Sequence, residues 1–169
     1  MEFLKNHHVV AGMTESNDPR CNITGGQEGD RISLKGYNRI GFLIIVDAWA
    51  GGDSAITLKQ ATSVANTDSA EKALTYAGYW TSANYAAEAT PAWVKTATGT
   101  LTIANADSPD NKAYFIEVEA DSLDADNGFD CVRIDFATPG ANANYLNCVA
   151  ILSDPRHGGD ESMVNPVTD

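Results

Sequence analysis

Histidines are the first candidates for acid–base or nucleophilic catalysis in this chain, which has three: His7, His8 and His157. A nucleophile triad needs a histidine held in fixed geometry beside its serine or cysteine. All three histidines lie in polar, turn-rich segments near the ends of the chain, which are poor places to hold a base. The GxSxG, HExxH, P-loop and GxGxxG motifs do not occur in the sequence. We therefore predict that the protein is not an enzyme and has no cofactor.

An acidic segment carries the side chains best suited to a cation: Asp121, Asp124, Asp126 and Asp130. Carboxylate oxygens are the ligands that calcium prefers in proteins. The spacing departs from the EF-hand pattern, because counting from Asp124 puts Gly128 where a ligand is needed and Phe129 where glycine is needed. We predict a solvated acidic turn and no metal site. A cation held together with carboxylates of other loops stays open as an alternative.

The three tryptophans offer a different chemistry, that of stacking and burial. Trp49, Trp80 and Trp93 could stack on sugar rings, as tryptophans do in β-sandwich lectin modules. More often such residues are anchors of a core or of a protein interface, because an indole ring buries a large apolar area. The sequence therefore favours core or interface roles, with carbohydrate binding as an alternative.

Cysteine usage indicates a reducing compartment. Cys21, Cys131 and Cys148 are odd in number and far apart, and no CxxC pair occurs. The first residues, MEFLKNHH, lack the apolar region of a secretion signal. We predict three reduced thiols in a protein made in a host cytoplasm. Cys131 and Cys148 stand in apolar strand patterns and are expected in the core.

The net charge of −12 argues against direct nucleic-acid binding, because such a field repels phosphate backbones. The charge is uneven along the chain: residues 1–106 hold 10 acids and 8 bases, and residues 107–169 hold 13 acids and 3 bases. The longest apolar stretch, residues 40–50, is about half the length needed to cross a bilayer. No membrane span is predicted.

These side chains must be positioned by strands. Residues 39–48 form a near-continuous run of β-branched and aromatic residues, which is typical of a central strand buried on both faces. Apolar and polar residues alternate in residues 55–60, 113–119 and 131–137, and residues 145–152 are almost wholly apolar. Turn residues separate about eight such segments, with no alternation of helix and strand. The pattern predicts an all-β jelly roll or β-sandwich, with a barrel as the alternative.

The middle and the ends of the chain are less regular. Residues 71–80 are predicted as strand, with a helix as the alternative because Asp68 and Glu71 have capping-box spacing. Residues 1–29 and 154–169 are rich in glycine, proline, asparagine and acids and show no sustained period. We predict an N-terminal arm over residues 1–29, a body over residues 30–153 and a C-terminal arm over residues 154–169.

Four segments of the body carry a resemblance to a known group of proteins: SLKGYNRIGFLIIVDAWAGGDSAITLKQATSV, AYFIEVEADSLD, GFDCVRIDFATPG and NYLNCVAILSDPRH. They resemble small virion proteins of tailed bacteriophages, in which a Y-x-x-I-x-F-x-I strand leads through a glycine turn into T-L-x-Q-A. In that group a late V-R-I strand is followed by a last strand that ends near S-x-P-R. The resemblance covers residues 30–157.

The resemblance implies a capsid decoration, or cement, protein on the outer surface of the phage head. Such proteins are jelly rolls or sandwiches that act as homodimers or homotrimers and bridge subunits of the major capsid protein. Alternatives are a tail-tube or connector protein and a carbohydrate-binding head appendage.

The residues expected at the interface with the capsid, or between copies of the chain, are aromatic, basic or apolar residues of the two arms together with two tryptophans. They are Phe3, Leu4, His7, His8, Arg20, Trp49, Trp93, Arg156, His157 and Val164. Ordering of flexible arms on contact and repetition of weak sites by symmetry would give such a protein its avidity.

Overall fold

The computed structural model describes residues 3–13, 20–65, 69–82, 84–87, 92–97 and 99–156. These residues form thirteen strands, the four-residue helix α1 (Phe3–Asn6) and three single 3₁₀ turns. The prediction of an all-β fold is confirmed, and the strands make two antiparallel sheets. The count of about eight strands is too low, because three strands lie within residues 1–29, where none was expected, and the segment around residues 71–80 forms two strands.

The first sheet contains the longest strands. Its spatial order is β1 (His7–Ala11), β13 (Asn144–Pro155), β5 (Tyr37–Trp49), β11 (Ala113–Glu119), β8 (Tyr79–Ser82) and β9 (Trp93–Thr96), with β2 (Cys21–Asn22) also on β13. The two strands at its centre, β5 and β13, are 13 and 12 residues long. A register shift between Tyr145 and Leu146 accommodates one extra residue of β5.

The second sheet is built on shorter strands. Its order is β10 (Thr102–Ile103), β6 (Ser54–Ala61), β12 (Cys131–Phe136) and β3 (Gln27–Glu28), with β4 (Ile32–Ser33) on β12 and β7 (Glu71–Leu74) on β6. Every pairing in both sheets is antiparallel.

One hydrophobic core joins the two sheets. Alternate residues of β5 point into it, and Ile40, Phe42, Ile44 and Val46 are completely buried. The predicted inward residues of β11 and β12 are buried as expected, and so are Cys131 and Cys148, while Cys21 of the expected N-terminal arm is buried as well. Since each strand side chain alternates between faces, these positions fix the register of the whole sheet.

The other face of β5 differs from the prediction. Leu43 and Ile45 are only half-buried, although the apolar run predicted a strand covered on both faces. The run is apolar on both faces, but the described part of the chain packs against only one of them. The first sheet therefore presents apolar side chains on its outer side.

The prediction of strand around residues 71–80 is confirmed for β7 and for the start of β8, whereas residues 75–78 between them are not strand. The helical alternative is wrong, because Gly78 has a φ of +149° and breaks any helix between the two strands. Asp68, which would start that helix, lies outside the described residues.

Residues 1–29 were expected to contain no packed element, and this expectation is wrong for the described part of that segment. Strands β1 and β2 pair with β13, and β3 pairs with β12. Ile23 is completely buried and Met13 and Cys21 nearly so. The polar and glycine-rich composition hid these strands, because each has only two to five residues. At the other end, β13 continues to Pro155.

Within the described residues, no helix has the length and apolar character needed to cross a membrane.

Candidate interaction surface

Trp49 does not belong to an exposed interface. Only 8% of the residue is exposed, and its indole N–H donates to the Gly52 carbonyl at 2.8 Å. Its backbone N–H donates to the Asp110 carboxylate at 2.6 Å, at the point where β5 ends. The expectation that Trp49 contacts a partner is corrected here: the ring packs into the core beside the glycine turn.

The N-terminal candidates lie around helix α1 and strand β1. Phe3 is 53% exposed and its ring stacks on His7, with centroids 4.2 Å apart. His8 faces inward along β1, and its Nδ1 lies 3.4 Å from the Tyr37 hydroxyl. Leu4 is part of α1. Phe3 and His7 thus remain available at a surface, whereas His8 is tied to Tyr37.

The basic candidates have partners within the chain. Arg20 forms an ion pair with Asp47 at 3.0 Å, and its guanidinium lies over the Tyr145 ring, 4.7 Å from the centroid. Arg156 donates from Nε to Asn38 Oδ1 at 3.0 Å. Both arginines are exposed. His157 and Val164 lie outside the described residues.

The acidic segment is held by its own neighbours. Asp124 accepts hydrogen bonds from Lys72 and from Asn127 Nδ2, and these contacts lower the pKa of its carboxyl group. The Asp124 backbone N–H donates to Gln60 Oε1 at 2.8 Å. Among the described residues, no three histidines, cysteines or acids are grouped as metal ligands would be.

Two buried thiols are poor nucleophiles. Burial is the main cause that raises the pKa of Cys131 to about 12, and the hydrogen bond from its Sγ to Asp130 acts in the same direction. Burial also raises the pKa of Cys148, which faces the core from β13. Since the thiolate is the reactive form, neither residue is suited to catalysis.

The outer face of the second sheet is closed by ion pairs. Arg133 of β12 is only 6% exposed in its side chain and lies 3.0 Å from Glu28, 3.2 Å from Glu71 and 2.9 Å from Asp135. Lys59 of β6 lies 3.0 Å from Asp135. The strand alternation predicted these outward positions, but the burial of Arg133 follows from the crowding of long charged side chains around it.

The outer face of the first sheet has the opposite character. Directly paired residues form a row across the sheet, from Val149 of β13 through Leu43 and Phe115 to Trp80 and Lys95. Further apolar residues on the same face are Val9, Ala11, Ile45, Trp93 and Ile151. We call these residues, without Lys95, the apolar face.

The apolar face has a polar border. Along the strand direction, Arg39, Glu117 and Glu119 lie on one side of the row, where Arg39 Nη2 is 3.2 Å from Glu119. Arg20, Asp47 and the ring of Tyr145 lie on the other side of the row. An exposed apolar area bounded by polar residues is the usual composition of a protein-binding site.

A recess marks the side of the apolar face toward β9. Leu43, Trp80, Trp93 and Phe115 enclose about 400 Å³. Trp80 is 37% exposed and Trp93 is 43% exposed, which is unusual for two neighbouring indoles. β9 is an edge strand of the sheet, so Trp93 borders a row of main-chain groups with no strand beyond it among the described residues.

Gly41 shapes this recess. A Cβ atom at Gly41 would lie 2.3 Å from Cζ of Phe115, so the Phe115 ring lies flat on the sheet in the space that glycine leaves. Aromatic rings commonly cover glycines of a neighbouring strand in this way.

Of the predicted interface residues, Trp93 is the one that the structure places in the recess. Leu43, Trp80 and Phe115 were not among them. The sequence feature that could have indicated these three residues is the presence of apolar residues at both odd and even positions of a strand. This pattern shows that both faces of the strand are apolar, but it does not show which face packs against the second sheet.

Comparisons with protein-family models, with curated proteins and with solved structures find no match to this chain.

Proposed function

We propose that this protein is a structural, non-catalytic adhesion protein that binds a protein surface through its apolar face. The observation that carries the proposal is the apolar face itself, with two exposed tryptophans and a polar border. Tryptophans supply a large share of the binding free energy of protein complexes.

The partner class that we propose is the major capsid protein of a tailed phage, with the chain on the outer surface of the head as a decoration protein. The resemblance of the strand segments supports this class, and so does the single core that joins two antiparallel sheets, as in a sandwich. The net charge of −12 favours a place away from the packaged genome. Homodimers or homotrimers repeated over a lattice would turn a modest site into strong attachment.

The test is reconstitution on capsids assembled from the major capsid protein of the source genome without this chain. Trp93→Ser removes an indole from the recess, and Val94→Ser is the matched control, because Val94 is 65% exposed but points to the other side of β9. We expect co-sedimentation with capsids to fall at least about tenfold for Trp93→Ser and to stay near wild type for Val94→Ser.

Electron microscopy of the decorated particles then locates the protein. Density on the outside of the head is the expected result. Equal occupancy by the Trp93→Ser variant would refute the role of the apolar face, and density inside the head would refute the decoration role. Hexameric rings or twelvefold collars would assign the protein to the tail or the neck instead.

A further inference from the structure

A second concavity lies beside the recess and has a different lining. It is a groove of about 470 Å³, within the roughly 300–1,000 Å³ range of small-ligand sites. One wall is Trp80 with Lys95, and the other is formed by Glu117, Glu119 and Ser122. Trp80 therefore separates the apolar recess from this polar groove.

Gly78 stands among the residues that line the groove. Gly78 lies directly before β8, with a φ of +149° that side chains rarely tolerate. A Cβ atom on Gly78 would lie 2.2 Å from the Thr96 carbonyl oxygen, so only glycine allows β8 and β9 to meet here. Gly78 therefore fixes the close approach of β8 and β9, the strands that carry Trp80 and Lys95.

We propose that this groove binds a neutral saccharide, with a sugar ring packed against Trp80 and its hydroxyls bonded to Glu117, Glu119 and Lys95. An indole wall offers the apolar surface on which the C–H face of a sugar packs. Ionised carboxylates accept hydrogen bonds from hydroxyl groups, and an ammonium group donates to them.

Charge balance selects a neutral ligand. Glu117 and Glu119 both lie near Arg39, at 3.7 and 3.2 Å. Lys95 supplies a second positive charge, with Nζ 5.6 Å from the Trp80 ring centroid. Lys95 in the groove and Arg39 beside it offset the two carboxylates, so the site offers little net charge for a cationic or an anionic ligand. The chain's net charge of −12 further disfavours acidic sugars.

Lys95 does not block the indole. Its side chain is exposed, and the ammonium lies on a flexible four-carbon stem. It can move from the ring face to donate to a sugar hydroxyl. The paired Arg39 meanwhile holds the two carboxylates at the opposite wall.

The experiment is a binding titration of the full chain with neutral oligosaccharides of glucose, galactose, mannose and N-acetylglucosamine, followed by ligand-observed NMR and tryptophan fluorescence. We expect at least one of the four to bind at millimolar concentration. Trp80→Ala should weaken its affinity by about tenfold, and Glu117→Gln by about threefold.

Trp93→Ser is the control that separates this site from the protein-binding surface. It should leave sugar affinity within about twofold of wild type while it lowers capsid binding, because Trp93 lines the recess and not the groove. If the wild-type chain binds a sugar but not capsids, the protein-binding proposal is wrong. If it binds capsids but no sugar, the saccharide proposal is wrong.

Thermal melts show that each variant is folded before it is scored. The saccharide proposal is overturned if none of the four oligosaccharides binds to the wild type. It is also overturned if the bound sugar is insensitive to both Trp80→Ala and Glu117→Gln. Preferential binding of choline or glucuronate over every neutral sugar would refute the ligand class.

Discussion

Replacement of Arg133 by methionine tests the ion-pair network of the second sheet. The arginine is 6% exposed and lies within 3.2 Å of Glu28, Glu71 and Asp135. Removal of one partner from a buried ion pair typically costs about 3–5 kcal/mol, because the remaining charge is left without compensation. Methionine keeps most of the volume, so the change isolates the charge.

The expected loss for Arg133→Met is smaller than this range, because the carboxylates around Arg133 keep other partners or can reach water. Asp135 keeps Lys59 at 3.0 Å, and Glu71 keeps Arg31 at 2.5 Å. Glu28 has a 69% exposed side chain and can return to water. We therefore expect Arg133→Met to lower the free energy of unfolding by about 2–3 kcal/mol.

Urea unfolding followed by tryptophan fluorescence measures this loss, and the m value should stay unchanged because the fold is the same. Arg39→Met on the first sheet is the matched control. Arg39 also pairs with two carboxylates, Glu117 and Glu119, but its side chain is 46% exposed. Its replacement should cost less than about 1 kcal/mol. Equal losses for the two variants would refute the argument that burial makes the Arg133 network important.

Three further outcomes follow from the core and from the apolar face. Burial raises the pKa of Tyr114 to about 12, against about 10 in the unfolded chain. The stability that this shift contributes is therefore complete below pH 10, and about 2–3 kcal/mol of it is lost as the pH rises to about 12. Tyr114→Phe should flatten this part of a stability profile measured by urea unfolding. Thiol-directed reagents should label Cys131 and Cys148 only as fast as the protein unfolds, and prompt labelling of the native protein would contradict their burial. Gly41→Ala should displace the half-buried Phe115 ring and weaken capsid co-sedimentation while it changes the urea midpoint little. An unchanged co-sedimentation would show that the ring position does not matter.

Strand alternation was enough to predict the fold class and the inward residues. Ile116 of β11 and Ile134 of β12 are completely buried, as the period of two requires. The two-residue strands within residues 1–29 escaped prediction, because a pair such as Cys21–Asn22 has no period and is held in the sheet by β13. Its position depends on contacts between residues far apart in the sequence.

The candidate site was only partly predictable, for a related physical reason. A tryptophan is compatible with a core and with an interface, and sequence alone did not separate buried Trp49 from exposed Trp93. In β5, both faces are apolar, so the sequence did not reveal that Leu43 would remain half-buried. Which face is covered is decided by where the second sheet packs, and that is a property of the whole chain.

The contrast between the two outer faces of the sheets argues for the direction in which the protein binds. A partner on the second sheet would have to remove water from ion pairs such as Lys59–Asp135 that already form within the chain, and such desolvation gains little. A partner on the first sheet covers Leu43, Phe115 and Trp93, whose burial is favourable wherever shape allows. Attachment through the apolar face therefore leaves the charged face toward solvent. In the decoration role that we propose, the excess acid of the chain would keep neighbouring decorated surfaces apart.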